Sequence, residues 1–96
     1  MKAVHKKSMR PGVALVTGGS KRIGKDMIKK LSSLGWKVVI HFNSSTDDAK
    51  DLEKQINKSG GYALAIKADL NNPTAVRELI PRAEKKFGKI STLINN

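Results

Sequence analysis

The stretch Thr17-Gly18-Gly19-Ser20-Lys21-Arg22-Ile23-Gly24 directly follows the apolar run Val13-Ala14-Leu15-Val16. An apolar run that passes through a glycine-rich bend into a helical pattern predicts a strand, a tight turn and a helix. A helix start has backbone N–H groups without internal partners and a partly positive dipole end, which together stabilise a bound anion. Gly18 would allow the turn and close approach of a phosphate, and Gly24 would allow the helix to pack against its strand. The alternative reading is that these glycines serve only as turn residues.

Outward from this stretch, the alternation of strand and helix patterns continues along the chain. Short apolar segments predict strands at residues 13–17, 36–42, 62–68 and 90–94. Amphipathic segments predict helices at residues 22–34, from the segment 44–48 to Gly60, and from Asn72-Pro73 to Gly88. We expect residues 44–48 to cap the second helix through a hydroxyl and early acids, and Pro81 to kink or break the third. The order βαβαβαβ predicts an α/β fold with four parallel strands and right-handed crossovers.

The helical patterns also predict which side chains face the sheet. The residues expected on the apolar stripes are Ile23, Met27, Ile28, Leu31 and Leu34 in the first helix, Ala49, Leu52 and Ile56 in the second, and Val76, Leu79, Ile80, Ala83 and Phe87 in the third.

The composition limits the class of protein. With 96 residues and no cysteine, the chain fits one small domain, and disulfide frameworks, thiolate chemistry and zinc ribbons are excluded. We interpret residues 1–12 as a flexible basic arm and residues 13–96 as the folded part. Without a membrane-span pattern or a secretory signal, we expect a cytoplasmic protein with no membrane partner.

The charge is strongly positive and unevenly placed. The formal charge is +11, and residues 1–40 hold ten Lys or Arg and one acid, so the predicted phosphate-binding end is the basic end. This field would attract a nucleotide, RNA or DNA alike, which leaves open a basic module that binds nucleic acid non-specifically. Because aromatic residues are not interleaved with the basic ones, sequence-specific nucleic-acid binding is not expected.

Three motifs in order give the chain a resemblance to the first part of a short-chain dehydrogenase/reductase. Residues 17–24 resemble the cofactor motif T-G-x-x-x-G-x-G, Asp69-Leu70 resemble an adenine-contacting pair, and residues 93–96 resemble the opening of N-N-A-G. Arg22 stands where the motif has its middle glycine, and with Lys21 and His41 it resembles the pteridine-reductase branch, although Ser44 replaces an arginine of that branch. The related 3-oxoacyl-acyl-carrier-protein reductases remain an alternative. The resemblance implies an incomplete Rossmann fold, the N-terminal half of a dinucleotide-binding domain.

The residues after the second predicted strand favour NADP(H) over NAD(H) as the cofactor. An NAD site usually places an acid there to accept a hydrogen bond from the ribose 2′-OH, and that acid would repel a 2′-phosphate. The segment His41-Phe42-Asn43-Ser44-Ser45 contains no acid. Asp47 and Asp48 follow it and are interpreted as first-turn helix residues. Arg22 and Lys21 supply positive charge, and arginine can bind a phosphate with two hydrogen bonds.

We therefore expect a nucleotide cofactor to contact a defined set of residues. The resemblance implies that Ser44 and Ser45 contact the 2′-phosphate, that Asp69 and Leu70 contact the adenine, and that Asn95 lies near the adenine ribose. For His41 a phosphate contact and simple packing at the strand end are both open. The expected cofactor-binding residues are Gly18, Ser20, Lys21, Arg22, Ile23, Gly24, His41, Asn43, Ser44, Ser45, Asp69, Leu70 and Asn95.

The resemblance also implies what is absent from this sequence. The family uses a Ser and a Y-x-x-x-K pair for catalysis, but Tyr62 is the only tyrosine and Ile66 follows it at the lysine position. We expect no catalytic or metal-ligating residue and interpret the chain as a truncated piece, either one part of a split enzyme with a complementary C-terminal chain or the non-functional product of an interrupted gene. We also expect a marginally stable monomer whose exposed fourth strand makes it aggregate or require a complementary segment.

Overall fold

The computed structural model describes residues 10–96, and its four strands form one parallel sheet. The strands are β1 (Val13–Thr17), β2 (Lys37–Phe42), β3 (Tyr62–Lys67) and β4 (Thr92–Asn95), in the spatial order β3-β2-β1-β4. Every neighbouring pair is parallel, with Leu15 opposite Val39 on one side and Leu93 on the other. The predicted α/β fold with four parallel strands is confirmed.

Four strand boundaries differ from the prediction by one or two residues, among them the end of β4 at Asn95, one residue later than predicted. Strand β2 begins after Trp36, because the Trp36 N–H still donates to the Leu31 carbonyl of the preceding helix, at 3.0 Å. Strand β4 begins at Thr92 because the Ile90 N–H donates to the Glu84 carboxylate instead of a strand, at 3.0 Å. Strand β3 ends at Lys67, one residue early.

The three helices are α1 (Arg22–Ser33), α2 (Thr46–Lys58) and α3 (Pro73–Phe87). Glycines follow each helix at Gly35, Gly60 and Gly88 with φ between 87° and 96°, a left-handed conformation in which glycine ends a helix without strain. Helix α3 is one continuous helix of 15 residues through Pro81, so of the two expected outcomes there, a kink or a break, the break is wrong. Pro81 is exposed, so the carbonyl that loses its helical partner can be solvated by water.

Helix capping differs from the prediction at α2. The Asn72 side chain caps α3, accepting from the Thr74 and Ala75 N–H groups at 3.0 and 3.4 Å. The N-cap of α2 is Ser45, but no side-chain hydrogen bond caps this helix, so the expected hydroxyl cap is wrong. Helix α1 likewise has no side-chain cap. The N-terminal N–H groups of α1 and α2 are therefore not used by capping side chains.

Two apolar clusters cover the two faces of the sheet. Helices α1 and α2 pack on one face, where Val16, Ile28 and Ile40 are fully buried. Helix α3 packs on the other face, where Leu15 and Val39 meet Leu79 and Ala83. This arrangement follows from the strand alternation, which sends successive side chains to opposite faces.

The apolar stripes are only partly buried. In α1, Ile28 is buried, but Ile23 is 68% exposed and Leu34 is 55% exposed. In α3, Val76 and Ile80 are also exposed. The prediction that these residues face the core is wrong, because neither helix has a second layer of protein on that side within residues 10–96. No helix in this part of the chain is long and apolar enough to cross a membrane.

Candidate functional site

The turn between β1 and α1, residues 18–21, is hereafter called the glycine turn. Gly18 has φ +61°, a conformation in which a side chain is strained, and the nearest atom to a Cβ placed there is 3.5 Å away. Gly18 is exposed, so the turn offers an open face of backbone. Gly19 lies behind it and is buried, where a Cβ would approach the Val16 carbonyl to 3.1 Å. A requirement for glycine at Gly19 was not predicted from the sequence.

Gly24 lets α1 approach the glycine turn closely. A Cβ at this position would collide with the Gly18 carbonyl oxygen and would lie 2.7 Å from the Asn96 amide nitrogen. Any larger residue would therefore push the start of α1 away from the turn. The sequence predicted close packing of Gly24 against the strand; the close contacts are instead with the glycine turn and Asn96.

Two cations occupy the start of α1. Lys21 is the N-cap residue and Arg22 is the first helical residue, and both side chains are exposed. Arg22 has φ +52° and is the single non-glycine residue with positive φ among residues 10–96. The motif has glycine at this position, which the left-handed backbone explains. A cation at the positive end of an uncapped helix is unfavourable unless an anion is bound there.

His41 holds the glycine turn from behind. Its Nδ1 accepts a hydrogen bond from the Gly18 N–H at 3.1 Å, and its Nε2 donates to the Ala68 carbonyl at 2.8 Å. The side chain is only 4% exposed. Both ring nitrogens are thus engaged, which fixes the tautomer with hydrogen on Nε2. Of the two roles left open by the sequence, this geometry favours packing at the strand end over a direct phosphate contact.

Two asparagines at the C-terminal end of β4, Asn95 within the strand and Asn96 directly after it, hold the other side of the turn. The Thr17 hydroxyl donates to the Asn95 side-chain oxygen at 2.9 Å, and the Asn96 N–H donates to the Thr17 hydroxyl at 3.0 Å. The Asn96 amide also donates to the Gly18 carbonyl at 3.1 Å. Thr17 and Asn96 were not predicted as site residues. Thr17 belongs to the T-G-x-x-x-G-x-G motif and Asn96 to the opening of N-N-A-G, but the sequence could not show that they pair, because the pairing depends on β4 lying beside β1.

The residues that follow β2 lie at the same edge of the sheet, where the carboxyl ends of the strands meet. Asn43 and Ser44 are exposed and Ser45 is half-buried, directly before the uncapped N-terminus of α2. Asp48, in the first turn of α2, lies 3.6 Å from Lys21 as measured from Oδ2 to Nζ. This ion pair brings the starts of α1 and α2 together around one corner, which we call the phosphate corner (residues 18–24 and 43–48).

The segment after β3 also ends at this edge. Asp69 is exposed, and its carboxylate accepts a hydrogen bond from the Asn71 N–H at 2.9 Å, which stabilises the local turn. Leu70 is 44% exposed. The structure therefore leaves an accessible apolar side chain near the strand end, where the resemblance implies an adenine contact.

Tyr62 lies away from the phosphate corner: it begins β3, as predicted, at the amino end of the strands, and Lys37 Nζ is 5.7 Å from the centroid of its ring. Ile23, expected to contact the cofactor, belongs to the corner; its side chain is 68% exposed and borders an apolar groove together with Ile94 of β4. Within residues 10–96, no group of three or more His, Asp or Glu side chains is arranged to hold a metal ion. Most of the expected basic arm lies outside the described residues.

Comparison with known proteins defines the family. The profile described as short chain dehydrogenase matches residues 12–96, so this chain belongs to the short-chain dehydrogenase family. It is 39% identical over 84 residues to a 3-oxoacyl-[acyl-carrier-protein] reductase of Synechocystis, a match that covers 88% of this chain and 34% of the relative. The chain spans about a third of the length of the curated relatives it matches.

Solved structures show the same architecture. FolM alternative dihydrofolate reductase 1 from Brucella canis, complexed with NADP, is similar with a TM-score of 0.80 and 42% identity over 84% of this chain and 32% of that one. A short-chain dehydrogenase/reductase from Serratia marcescens is similar with a TM-score of 0.85 and 35% identity, over 92% of this chain and 36% of that one. These similarities confirm the Rossmann-like α/β fold.

Proposed function

We propose that this chain binds NADP(H) at the phosphate corner and forms the dinucleotide-binding part of an NADPH-dependent reductase of carbonyl or pteridine-like substrates. One observation carries the proposal: two helix N-termini without capping side chains lie at the same corner, together with Lys21 and Arg22. Free backbone N–H groups, positive dipole ends and cations all favour an anionic ligand. Helix α3, whose start is capped by Asn72, lies outside this corner.

The residues of the corner suit the parts of a dinucleotide. The open backbone of Gly18 and the start of α1 suit the pyrophosphate, with Ser20, Arg22 and Gly24 completing this cradle. Lys21, Ser44 and Ser45 suit a 2′-phosphate, since they supply a cation and two hydroxyl donors beside the start of α2. Asn43 lies on the rim of the same subsite.

The remaining contacts concern the adenosine. Leu70 supplies an exposed apolar surface for the adenine, and Asp69 fixes the turn that presents it. Asn95 would lie near the adenine ribose while its side chain holds Thr17. His41 would act indirectly by fixing the Gly18 N–H. Similar proteins support this assignment of the cofactor: FolM is complexed with NADP, and a blue fluorescent protein from a metagenomic library is complexed with NADPH.

The same proposal assigns no proton donor to this chain. Hydride transfer needs an oriented proton donor and a substrate site. The one tyrosine, Tyr62, lies at the amino ends of the strands, whereas the phosphate corner lies at their carboxyl ends. We expect the chain alone to bind the cofactor without reducing a substrate, and a complementary C-terminal chain to supply the catalytic groups. A cytoplasmic location is part of the proposal and fits the absence of cysteine from the sequence.

Isothermal titration calorimetry of the full chain with NADPH, and separately with NADH, tests the proposal. We expect NADPH to bind more tightly than NADH. Replacement of Arg22 by Ala should weaken NADPH binding by about tenfold or more, since a charge-assisted hydrogen bond to phosphate is lost. Lys29→Ala is the control, because it removes an exposed cation from the same helix about two turns away. No binding of NADPH, or equal affinities for Arg22→Ala and Lys29→Ala, would overturn the proposal.

A further inference from the structure

The ion pair between Lys21 and Asp48 lies inside the proposed 2′-phosphate subsite. Lys21 Nζ and Asp48 Oδ2 are 3.6 Å apart, and their side chains are 61% and 52% exposed. Asp48 is not at the strand-end position where an NAD site carries its acid, but in the first turn of α2, five residues after Asn43. The ion pair places the Asp48 carboxylate beside the glycine turn, of which Lys21 is the last residue. The sequence assigned Asp48 only a favourable interaction with the helix dipole.

An exposed pair of this kind is weak, because solvent and salt screen it. A phosphate monoester carries a charge of about −1.5 to −2 at neutral pH and can replace a carboxylate as the partner of a lysine. Once displaced, however, the Asp48 carboxylate is still anchored on α2 at the rim of the subsite. It would then face the bound 2′-phosphate within about one Debye length, roughly 8 Å at physiological salt.

We propose that Asp48 reduces the preference of this chain for NADP(H) over NAD(H) by lowering its affinity for ligands that carry a 2′-phosphate. The inference rests on the proposed function, since it requires that the phosphate corner bind the dinucleotide. Two effects act in the same direction: the carboxylate occupies Lys21 in the free protein and repels the phosphate in the complex. NADH has no 2′-phosphate, so it neither needs to displace the carboxylate from Lys21 nor meets this repulsion.

Replacement of Asp48 by Asn, with Asp47→Asn as the matched control, tests the inference. Both variants remove one negative charge from the first turn of α2, but only Asp48 pairs with Lys21. In titrations of the full chain at low salt, D48N should bind NADPH about three- to tenfold more tightly than wild type, while its affinity for NADH changes by less than about twofold. D47N breaks no ion pair with Lys21, so its gain in NADPH affinity should be clearly smaller than that of D48N, and the gain in D48N should shrink at high salt.

A second pair of variants isolates the contribution of Lys21. In a Lys21→Gln background no ion pair has to be broken, so the gain from D48N should be smaller than in the wild-type background. An equal gain in both backgrounds would overturn the inference, as would D48N behaving like D47N or binding NADPH less tightly. Each of these results leaves NADPH bound to the wild-type chain, so the proposed function would survive it. Absence of NADPH binding by wild type overturns both proposals.

Discussion

Arg22 occupies a backbone conformation that glycine adopts without strain. Its φ of +52° places an arginine in the left-handed region, at the motif position normally held by glycine. A non-glycine residue there costs about 1 kcal/mol or more of conformational strain. The fold does not require arginine at this strained position of the phosphate corner, so we attribute the presence of Arg22 to the binding role of its guanidinium group.

Replacement of Arg22 by Gly should therefore separate stability from binding. Relief of strain offsets the entropy that glycine adds to the unfolded chain, so we expect the free energy of unfolding to change by less than about 0.5 kcal/mol. Lys29→Gly removes a cation from the same helix but places glycine in a regular helical position, which should cost about 1 kcal/mol. Urea denaturation of both variants checks this. Equal destabilisation would contradict the strain assigned to Arg22.

His41 connects three segments that are distant in sequence. Removing its side chain in His41→Ala takes away the partner of the part-buried Gly18 N–H and of the buried Ala68 carbonyl. We expect a loss of about 2–4 kcal/mol in unfolding free energy, together with faster amide hydrogen exchange at Gly18. Asn43→Ala, which alters an exposed side chain two residues away, should change stability by less than about 0.5 kcal/mol. If both variants were equally stable, the bonds of His41 would have no structural role.

At the scale of the elements, a side-chain cap stabilises the start of α3, whereas the start of α2 has no such cap and is assigned to cofactor binding. Asn72→Ala removes the side-chain cap of α3 and should destabilise the protein by about 1 kcal/mol. Ser45→Ala at the N-cap of α2 removes no cap bond, so we expect almost unchanged stability but weaker NADPH binding. Thermal unfolding and NADPH titration of the two variants measure both effects. A large stability loss in Ser45→Ala would show that the hydroxyl caps α2 after all.

The outer edge of β3 is covered by side chains of α2. Asn57 accepts a hydrogen bond from the Ala63 N–H at 2.8 Å and donates to the Ala63 carbonyl at 3.2 Å. Glu53 accepts from the Ala65 N–H at 2.7 Å. These bonds occupy backbone groups that would otherwise pair with another strand.

Opening this edge should promote self-association. The double variant Glu53→Ala/Asn57→Ala exposes the backbone groups of Ala63 and Ala65, and we expect dimers or larger species that increase with protein concentration. Asp51→Ala/Gln55→Ala removes one carboxylate and one amide from the same helix without touching β3, and should associate no more than wild type. Sedimentation velocity over a tenfold concentration range measures this. Association by both variants alike would exclude a specific role of Glu53 and Asn57.

At the scale of the whole molecule, the sequence predicts the periodic features and misses the long-range bonds. The strands and helices follow from local periodicity, and the corner follows from glycine spacing at Gly18 and Gly24. The clamp formed by Thr17, Asn95 and Asn96 joins residues 78 and 79 positions apart, so it becomes visible only once β4 lies beside β1. The absence of a cap on α2 was missed because hydroxyls and acids at a helix start predict a cap regardless of what else lies nearby.

The opposite edge of the sheet, formed by β4, is open and apolar on both faces. Leu93 is 57% exposed on the face that α3 partly covers, since it pairs with Leu15 of that cluster. On the other face, Ile23, Met27, Leu31 and Ile94 line an apolar groove of about 380 Å³. With β1 as its only neighbour among the described strands, β4 offers both unpaired backbone and apolar area, which favour association.

The charge of +11 opposes this association, so salt should control it. We expect the chain to be monomeric at low ionic strength and to self-associate at about 0.5 M salt, where the Debye length falls to a few ångströms and the repulsion is screened. Leu93→Lys should suppress the association, whereas Leu34→Lys should not, although Leu34 is 55% exposed and the change in charge and apolar area is the same. Sedimentation velocity at both salt concentrations distinguishes the variants. A wild-type chain that stays monomeric at high salt and unfolds cooperatively above about 50 °C would show that β4 needs no further partner.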